Sequence, residues 1–262
     1  MDLKLRNKLI IVTGGAKGIG QGIVEALAME GAMPVIIGRN EEDNLKQVAA
    51  IESRGGTCYQ VMAELSNPDE CEAAVNTIIQ RFGRIDGVVN NAGVNDGVGL
   101  ETGSYLTFID SLHKNLVHYY LIIKYALPEL IKSKGAIVNI SSKIGDTGQG
   151  NTSAYAAANG GRNALTREWA MELAKYSIRV NAVVVAECYT PLYEAWINTL
   201  SNPEEKIKEI TSKIPFEKRF TTAAEIASMV VFLLSPVSSH TTGQLIYVDG
   251  GYVHLDRAIA NA

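Results

Sequence analysis

Gly14, Gly18 and Gly20 stand in the spacing G-x-x-x-G-x-G, directly after the apolar run Leu9-Ile10-Ile11-Val12. Ile19, Ile23 and Leu27 then follow at helical spacing, so the stretch reads as buried strand, tight turn and helix. Such a turn can do one kind of chemistry. A helix start offers free N–H groups and the positive end of its dipole to a phosphate, and glycines let the phosphate approach the backbone. Gly14, Lys17, Gly18, Ile19 and Gly20 are therefore the candidates to surround a pyrophosphate, as in a dinucleotide. The alternative, an ordinary strand-to-helix turn, stays open on this motif alone, because the spacing is not the familiar G-x-G-x-x-G.

Other polar groups fall just after further strand candidates. Arg39-Asn40 follows the second, and Arg39 offers a cation where the 2′-phosphate of NADP would sit; Lys17 could add another. Two solvated surface charges is the alternative. Glu64-Leu65 follows the third strand as neighbours for an adenine, and Asn90-Asn91-Ala92-Gly93 follows the fourth, with a glycine that lets the backbone approach a cofactor. After the fifth come Ser141-Ser142 and then a loop rich in Gly, Thr, Gln and Asn. Tyr155 opens the next helix with Asn159 four residues on, on the same face, and alanines between them small enough to admit a flat ring.

The elements that must position these groups alternate along the whole chain. Strands are expected at Leu9–Thr13, Pro34–Ile37, Thr57–Met62, Gly87–Asn90, Ala136–Ile140, Arg179–Val185 and Leu245–Val248. Helices are expected at 18–30, 41–54, 68–82, 105–133, 154–176 and 223–235. Short apolar strands separated by helices imply an α/β fold, a doubly wound, Rossmann-like, seven-stranded parallel sheet with helices on both faces. In such a sheet ligands bind at the carboxyl ends of the strands. No linker or repeat interrupts residues 1–262, which we read as one domain. Residues 190–220 break the alternation with two helical patterns split near Ser201-Asn202-Pro203, and are expected to form a small helical lid.

Composition narrows the classes. The chain has 262 residues, 47% of them hydrophobic and 20% charged, with a net charge of −4. No basic field invites nucleic acid or an anionic membrane, and no apolar run approaches a membrane span of about 20 residues. Cys58, Cys71 and Cys188 show neither disulfide nor metal spacing, and His113, His118, His240 and His254 share no ligand spacing. No metal site is expected. The N-terminus lacks the apolar core of a signal peptide, and a reducing cytoplasm is the expected setting.

Taken together, the motifs resemble those of the short-chain dehydrogenase/reductase family, end to end. They are Thr13-Gly14-x-x-x-Gly18-x-Gly20, Asn90-Asn91-Ala92-Gly93, Asn115 in the fourth long helix, Ser142 placed 13 residues before Tyr155, Val180-Asn181-Ala182, and Gly243 with Val248-Asp249-Gly250-Gly251. Within that family the chain is similar to sugar dehydrogenases of the L-fucose dehydrogenase type. Asn91–Gly97, Thr147–Thr152, Ala186-Glu187 before Thr190-Pro191, and Tyr252–Arg257 carry this narrower likeness.

The resemblance implies an oxidoreductase that moves a hydride between NADP(H), with NAD as the alternative, and a small molecule. It implies Tyr155 as general acid/base, Ser142 as the group that positions the reacting oxygen, and Asn115 as the anchor of a relay water. Asn91, Gly93, Asn40, Thr190, Tyr155 and Asn159 join the cofactor contacts. It also implies homotetramers, with the tail around His254 and Arg257 reaching a neighbouring subunit. General chemistry agrees: hydride transfer needs a positioned base, and a tyrosine hydroxyl serves near neutral pH only if its anion is stabilised.

The sequence departs from the family at two places. Where the family has a lysine four residues after the tyrosine, this chain has Asn159. An opposite charge typically shifts a pKa by about 1–3 units, so its loss would lower the reactive anion's population roughly 10–1000-fold unless something replaces it. Lys143, in the loop, and Arg162, seven residues after Tyr155, are not expected to fill the gap. Three readings stay open: a Lys-to-Asn change in an otherwise active enzyme, a native enzyme with altered activation, and a catalytically silent protein that binds cofactor and ligand. The second departure is Val185-Ala186-Glu187 where the family often has Pro-Gly. Asn95, Gln149, Asn151 and Glu187 could together hydrogen-bond a polyhydroxylated ligand, and Trp196 either stacks on a sugar face or anchors the lid. The expected substrate is an aldose such as L-fucose, oxidised to its lactone. A carbonyl reductase of the 3-oxoacyl type is the alternative enzyme.

Overall fold

The computed structural model describes residues 2–255. Its strands are β1 (Leu9–Thr13), β2 (Met33–Gly38), β3 (Tyr59–Met62), β4 (Gly87–Asn90), β5 (Ala136–Ser142), β6 (Arg179–Val185) and β7 (Leu245–Val248). They form one parallel sheet in the order β3-β2-β1-β4-β5-β6-β7. The helices are α1 (Gly18–Met29), α2 (Glu41–Glu52), α3 (Pro68–Phe82), α4 (Tyr105–Leu112), α5 (His118–Ser133), α6 (Ser153–Leu173), α7 (Pro191–Ile197), α8 (Pro203–Ser212) and α9 (Ala223–Leu234).

Alternation along β1 sorts the core into two layers. Ile10 and Val12 join Ile23, Val24 and Leu27 of α1 and Ile226 and Val230 of α9 on one face. Leu9 and Ile11 join Val75 and Ile78 of α3, Tyr119 and Ile122 of α5 and Trp169 of α6 on the other. Both faces are covered, so β1 is apolar at consecutive positions rather than at alternate ones. The helix ends follow local chemistry. Asn67 accepts from the Asp69 N–H, Pro68 opens α3, and Gly83 closes it in the left-handed region at φ 65°.

Three expectations are corrected. The fifth strand does not stop at Ile140: pairing with β6 carries it to Ser142, so Ser141 and Ser142 are strand residues. The long helix expected over 105–133 is interrupted by a π-helical turn at His113–Val117, which contains Asn115. The third strand begins at Tyr59 rather than Thr57. The lid segment forms α7 and α8, divided at Asn202-Pro203. Arg257 lies outside the described residues, while His254 meets the Tyr247 ring edge-on at 4.4 Å. Among the described residues, no helix is long and apolar enough to cross a membrane. No group of three or more His, Cys, Asp or Glu among them could hold a metal ion.

Candidate functional site

The strand order reverses between β1 and β4, which is where a doubly wound sheet opens a crevice at its carboxyl edge. The residues after these two strands are fastened together. The Asn91 amide donates to the Thr13 and Gly14 carbonyl oxygens at 2.9 and 3.2 Å. The Thr13 hydroxyl accepts from the Asn91 and Ala92 N–H groups at 2.9 and 3.1 Å. Gly14 and Gly18 hold φ of 65° and 58°, the region that favours glycine. Gly20 has a structural reason as well: a Cβ there would overlap the Gly14 carbonyl oxygen. The turn thus needs glycine to fold against itself.

Helix α1 starts here without a capping side chain on Lys17 and without an acidic residue in its first turn. Its open N–H groups fit the pyrophosphate of a dinucleotide. Ile19 packs against the core as the helix begins. Thr190 caps α7 by accepting from the Tyr193 N–H, and its methyl group comes close to Gly18. The lid therefore starts beside the glycine turn.

The two cations expected for a 2′-phosphate are both paired. Lys17 meets Asp43 at 2.6 Å, and Arg39 meets Glu64 at 3.3 Å. Burial raises the Glu64 carboxyl, but hydrogen bonds from Ser66 and Arg39 outweigh it and hold the group below its ordinary range. Asn40 caps α2 through the Asp43 N–H. Leu65 packs against the α3 side of the core.

At the centre of the sheet edge, Ser142 ends β5 and Tyr155 lies in the first turn of α6. Ser141 fastens these elements by donating to Asn163 Oδ1 at 2.6 Å. Asn159 is fully buried, and both ends of its amide are engaged. Nδ2 donates to the Tyr155 carbonyl at 2.8 Å, and Oδ1 accepts from Arg162 Nη1 at 3.1 Å. Arg162 also donates from Nε to the Asn115 carbonyl at 2.7 Å and from Nη1 to the Ile140 carbonyl at 3.2 Å. Its guanidinium lies 4.3 Å from the centre of the Tyr119 ring and 5.9 Å from that of Tyr155. Nη2 is buried, has no hydrogen-bond partner among the described residues, and lies close to Gly93. Asn115, expected to anchor a relay water, thus gives its carbonyl to Arg162, and its Oδ1 accepts from the Val94 N–H at 2.8 Å.

Arg162 and Lys143, which the sequence offers near Tyr155 but without an expected role, are both built into this edge. Positions 155, 159 and 162 are related as i, i+4 and i+7, one face of a helix, and this spacing was the available signal for Arg162. The signal for Lys143 was its place next to Ser142. It is buried and ion-paired with Glu187. Its Nζ stands 3.8 Å from the centre of the Tyr252 ring. Tyr193 of α7 donates to the other Glu187 oxygen at 2.9 Å. Burial and then the Glu187 charge push the Tyr193 hydroxyl far above the ordinary phenol range, so it stays protonated and donating.

The remaining candidates lie further out. Asn95, Gln149 and Asn151 are exposed on two loops that touch where Val98 accepts from the Ala154 N–H and Gly99 packs on Asn151. Glu187 is engaged by Lys143 and Tyr193. Trp196 is 45% exposed and meets Tyr193 edge-on at 5.2 Å, so it is a surface side chain of the lid rather than a core anchor.

Comparisons with known proteins show the family. The family described as enoyl-(acyl carrier protein) reductase matches residues 14–253. The chain is 35% identical to an L-fucose dehydrogenase of Bos taurus, over 96% of this chain and 91% of that one. It is 34% identical to a 3-oxoacyl-(acyl-carrier-protein) reductase of Thermotoga maritima, over 96% of this chain and 100% of that one. The solved Cj0485 dehydrogenase superposes with a TM-score of 0.94 at 47% identity, covering 99% of both chains.

Proposed function

Since the chain belongs to the short-chain dehydrogenase/reductase family and is an oxidoreductase of that family, we propose that it oxidises an aldose such as L-fucose to its lactone, reversibly, with NADP(H). The observation that carries the reading is the joined pair of turns at the sheet's reversal point, with Ser142 and Tyr155 on the neighbouring elements. Gly14, Gly18, Ile19, Asn91 and Gly93 would hold the dinucleotide, on a turn that Gly20 lets close, with Lys17, Arg39 and Asn40 beside its adenosine half. When bound, the nicotinamide accepts or returns the hydride. Tyr155 takes the proton from the substrate hydroxyl, and Ser142 holds that oxygen in place. Asn159 and Arg162 set the ground on which Tyr155 stands.

The L-fucose dehydrogenase relative and the carboxylate of Glu187 beside the substrate edge support a polyhydroxylated substrate. Exposed Tyr189, Leu192, Trp196 and Phe216 along the lid favour a second reading, reduction of a 3-oxoacyl ketone. Tyr105, Leu106, Tyr120 and Met171, exposed on α4, α5 and α6, support association into a homotetramer.

The test is a panel of aldoses and one 3-oxoacyl ester with both cofactors, run on this chain and on Asn159→Lys. Lactone formation from at least one aldose, lost in Tyr155→Phe with cofactor binding intact, is the expected result. Turnover of the ester alone overturns the sugar reading. Tight cofactor binding without turnover by either form leaves the silent protein.

A further inference from the structure

We propose that Lys143, Glu187 and Tyr193 form the element that selects a substrate by its hydroxyl groups. The inference rests on the oxidoreductase reading and specifies its substrate end. Lys143 directly follows Ser142 at the end of β5, and Glu187 lies two residues past the end of β6. Those strands are neighbours, with Ser142 opposite Val185, so the ion pair stands at the edge where the reacting oxygen is held.

Three features set this pair apart from a surface ion pair. First, the side chains of Lys143 and Glu187 are only 9% and 14% exposed. Taking two charges out of water is costly, and apolar residues of similar size are often as stable or more so. Stability alone therefore gives little reason for the pair. Second, the cluster joins three separate parts of the chain. Tyr193 reaches Glu187 from the lid at 2.9 Å, and the Tyr252 ring lies against the ammonium at 3.8 Å. Tyr193 is itself fixed edge-on by Trp196 and Phe220, at 5.2 and 5.3 Å. Third, the pair keeps unused capacity. An ammonium has three donors, and a carboxylate has about four acceptor sites. Among the described residues, Glu187 takes one of those donors, while Lys143 and Tyr193 take two of those acceptor sites. Neighbouring hydroxyls on a sugar ring both donate and accept, and match what remains. An acyl chain matches none of it, and a site built this way rejects a ligand that leaves its polar groups unpaired.

The experiment compares the unaltered chain with Lys143→Met/Glu187→Leu and with Tyr193→Phe. The double variant replaces both charges by apolar groups, so the fold survives the loss of the pair. Steady-state constants are measured for L-fucose, for its 2-deoxy analogue and for a 3-oxoacyl ester, with cofactor affinity followed by fluorescence. We expect KM for L-fucose to rise about tenfold or more in the double variant, and its preference over the deoxy analogue to shrink. The ester's KM stays level or falls, and cofactor affinity is unchanged. Tyr193→Phe gives a smaller rise in the same direction. Should L-fucose and the ester shift together, or neither shift, the pair is structural and the proposal fails while the sugar reading stands. If the unaltered chain turns over the ester and no sugar, the sugar reading itself fails and takes this site with it.

Discussion

Arg162 Nη1 donates to Asn159 Oδ1 at 3.1 Å, which places a buried guanidinium one helical turn from the residue that stands in the lysine position of the family's pattern. That guanidinium lies 5.9 Å from the centre of the Tyr155 ring. The neighbourhood of Tyr155 therefore retains a cation, although position 159 carries none.

Asn159→Lys is the direct probe of this arrangement. It adds a second cation nearer Tyr155, and we expect turnover to rise about tenfold or more. The new ammonium also shares a buried site with Arg162, so the melting temperature should fall. Equal rates in the two forms would show that charge at position 159 does not govern the base.

Arg162→Met removes a donor from the Asn115, Ile140 and Asn159 oxygens at once, and of these Ile140 keeps the Tyr119 hydroxyl. Leaving buried acceptors unpaired costs about 1–3 kcal/mol each at most. We expect a lower denaturation midpoint and slower turnover. Arg162→Lys should recover only part of both, because a point charge cannot reproduce the planar fork. A midpoint and rate unchanged in Arg162→Met would remove Arg162 from the site.

Cofactor preference is read from Arg39 and Lys17. Both are exposed and paired with carboxylates, and such pairs are cheaply broken. Arg39→Ala and Lys17→Ala should each weaken NADPH binding about tenfold, or 1.4 kcal/mol, and leave NADH nearly unchanged. Fluorescence titration with both cofactors decides it. If NADH binds more tightly from the outset, Asp43 and Glu64 set the preference and the protein uses NAD.

Gly20→Ala puts a methyl group onto the Gly14 carbonyl oxygen. The turn must open, so cofactor binding should be lost while the far-ultraviolet spectrum of the folded sheet persists. Undiminished binding would show that the turn has slack the geometry does not reveal.

Acid stability has a definite source in Asp86. Burial raises its carboxyl, but Arg84, the Leu9 N–H and Lys8 outweigh it and hold the group below its ordinary value of 3.8. A carboxyl lowered on folding stabilises the protein fully above the unfolded value, and the gain is lost as pH falls through the folded one. Asp86→Asn should lower stability near neutral pH and flatten its loss below about pH 4. Denaturant melts across that range test it, and parallel curves for the two proteins would refute the assignment.

Much of this protein was written in local sequence. β1 is apolar at consecutive positions because both of its faces are covered, and the glycine turn announces itself through residues that tolerate positive φ. The helix and strand spacing, the lid's break at Asn202-Pro203 and the motifs that resemble a known family could all be read in order along the chain. These are local properties, set by backbone sterics and by periodic burial.

Partnership was not legible, because it depends on which side chains the sheet brings together across 20 or more residues. Lys143 and Glu187 are 44 positions apart and meet only because β5 and β6 are neighbours. Arg39 meets Glu64 because β2 and β3 are. Arg162 could be placed on the face of Tyr155 by counting, but its hold on Asn115 required the π-helical turn between α4 and α5 to pack beside α6. Sequence spacing fixed where each charge sits on its own element; only the packing of one element against another decided which charge it would meet.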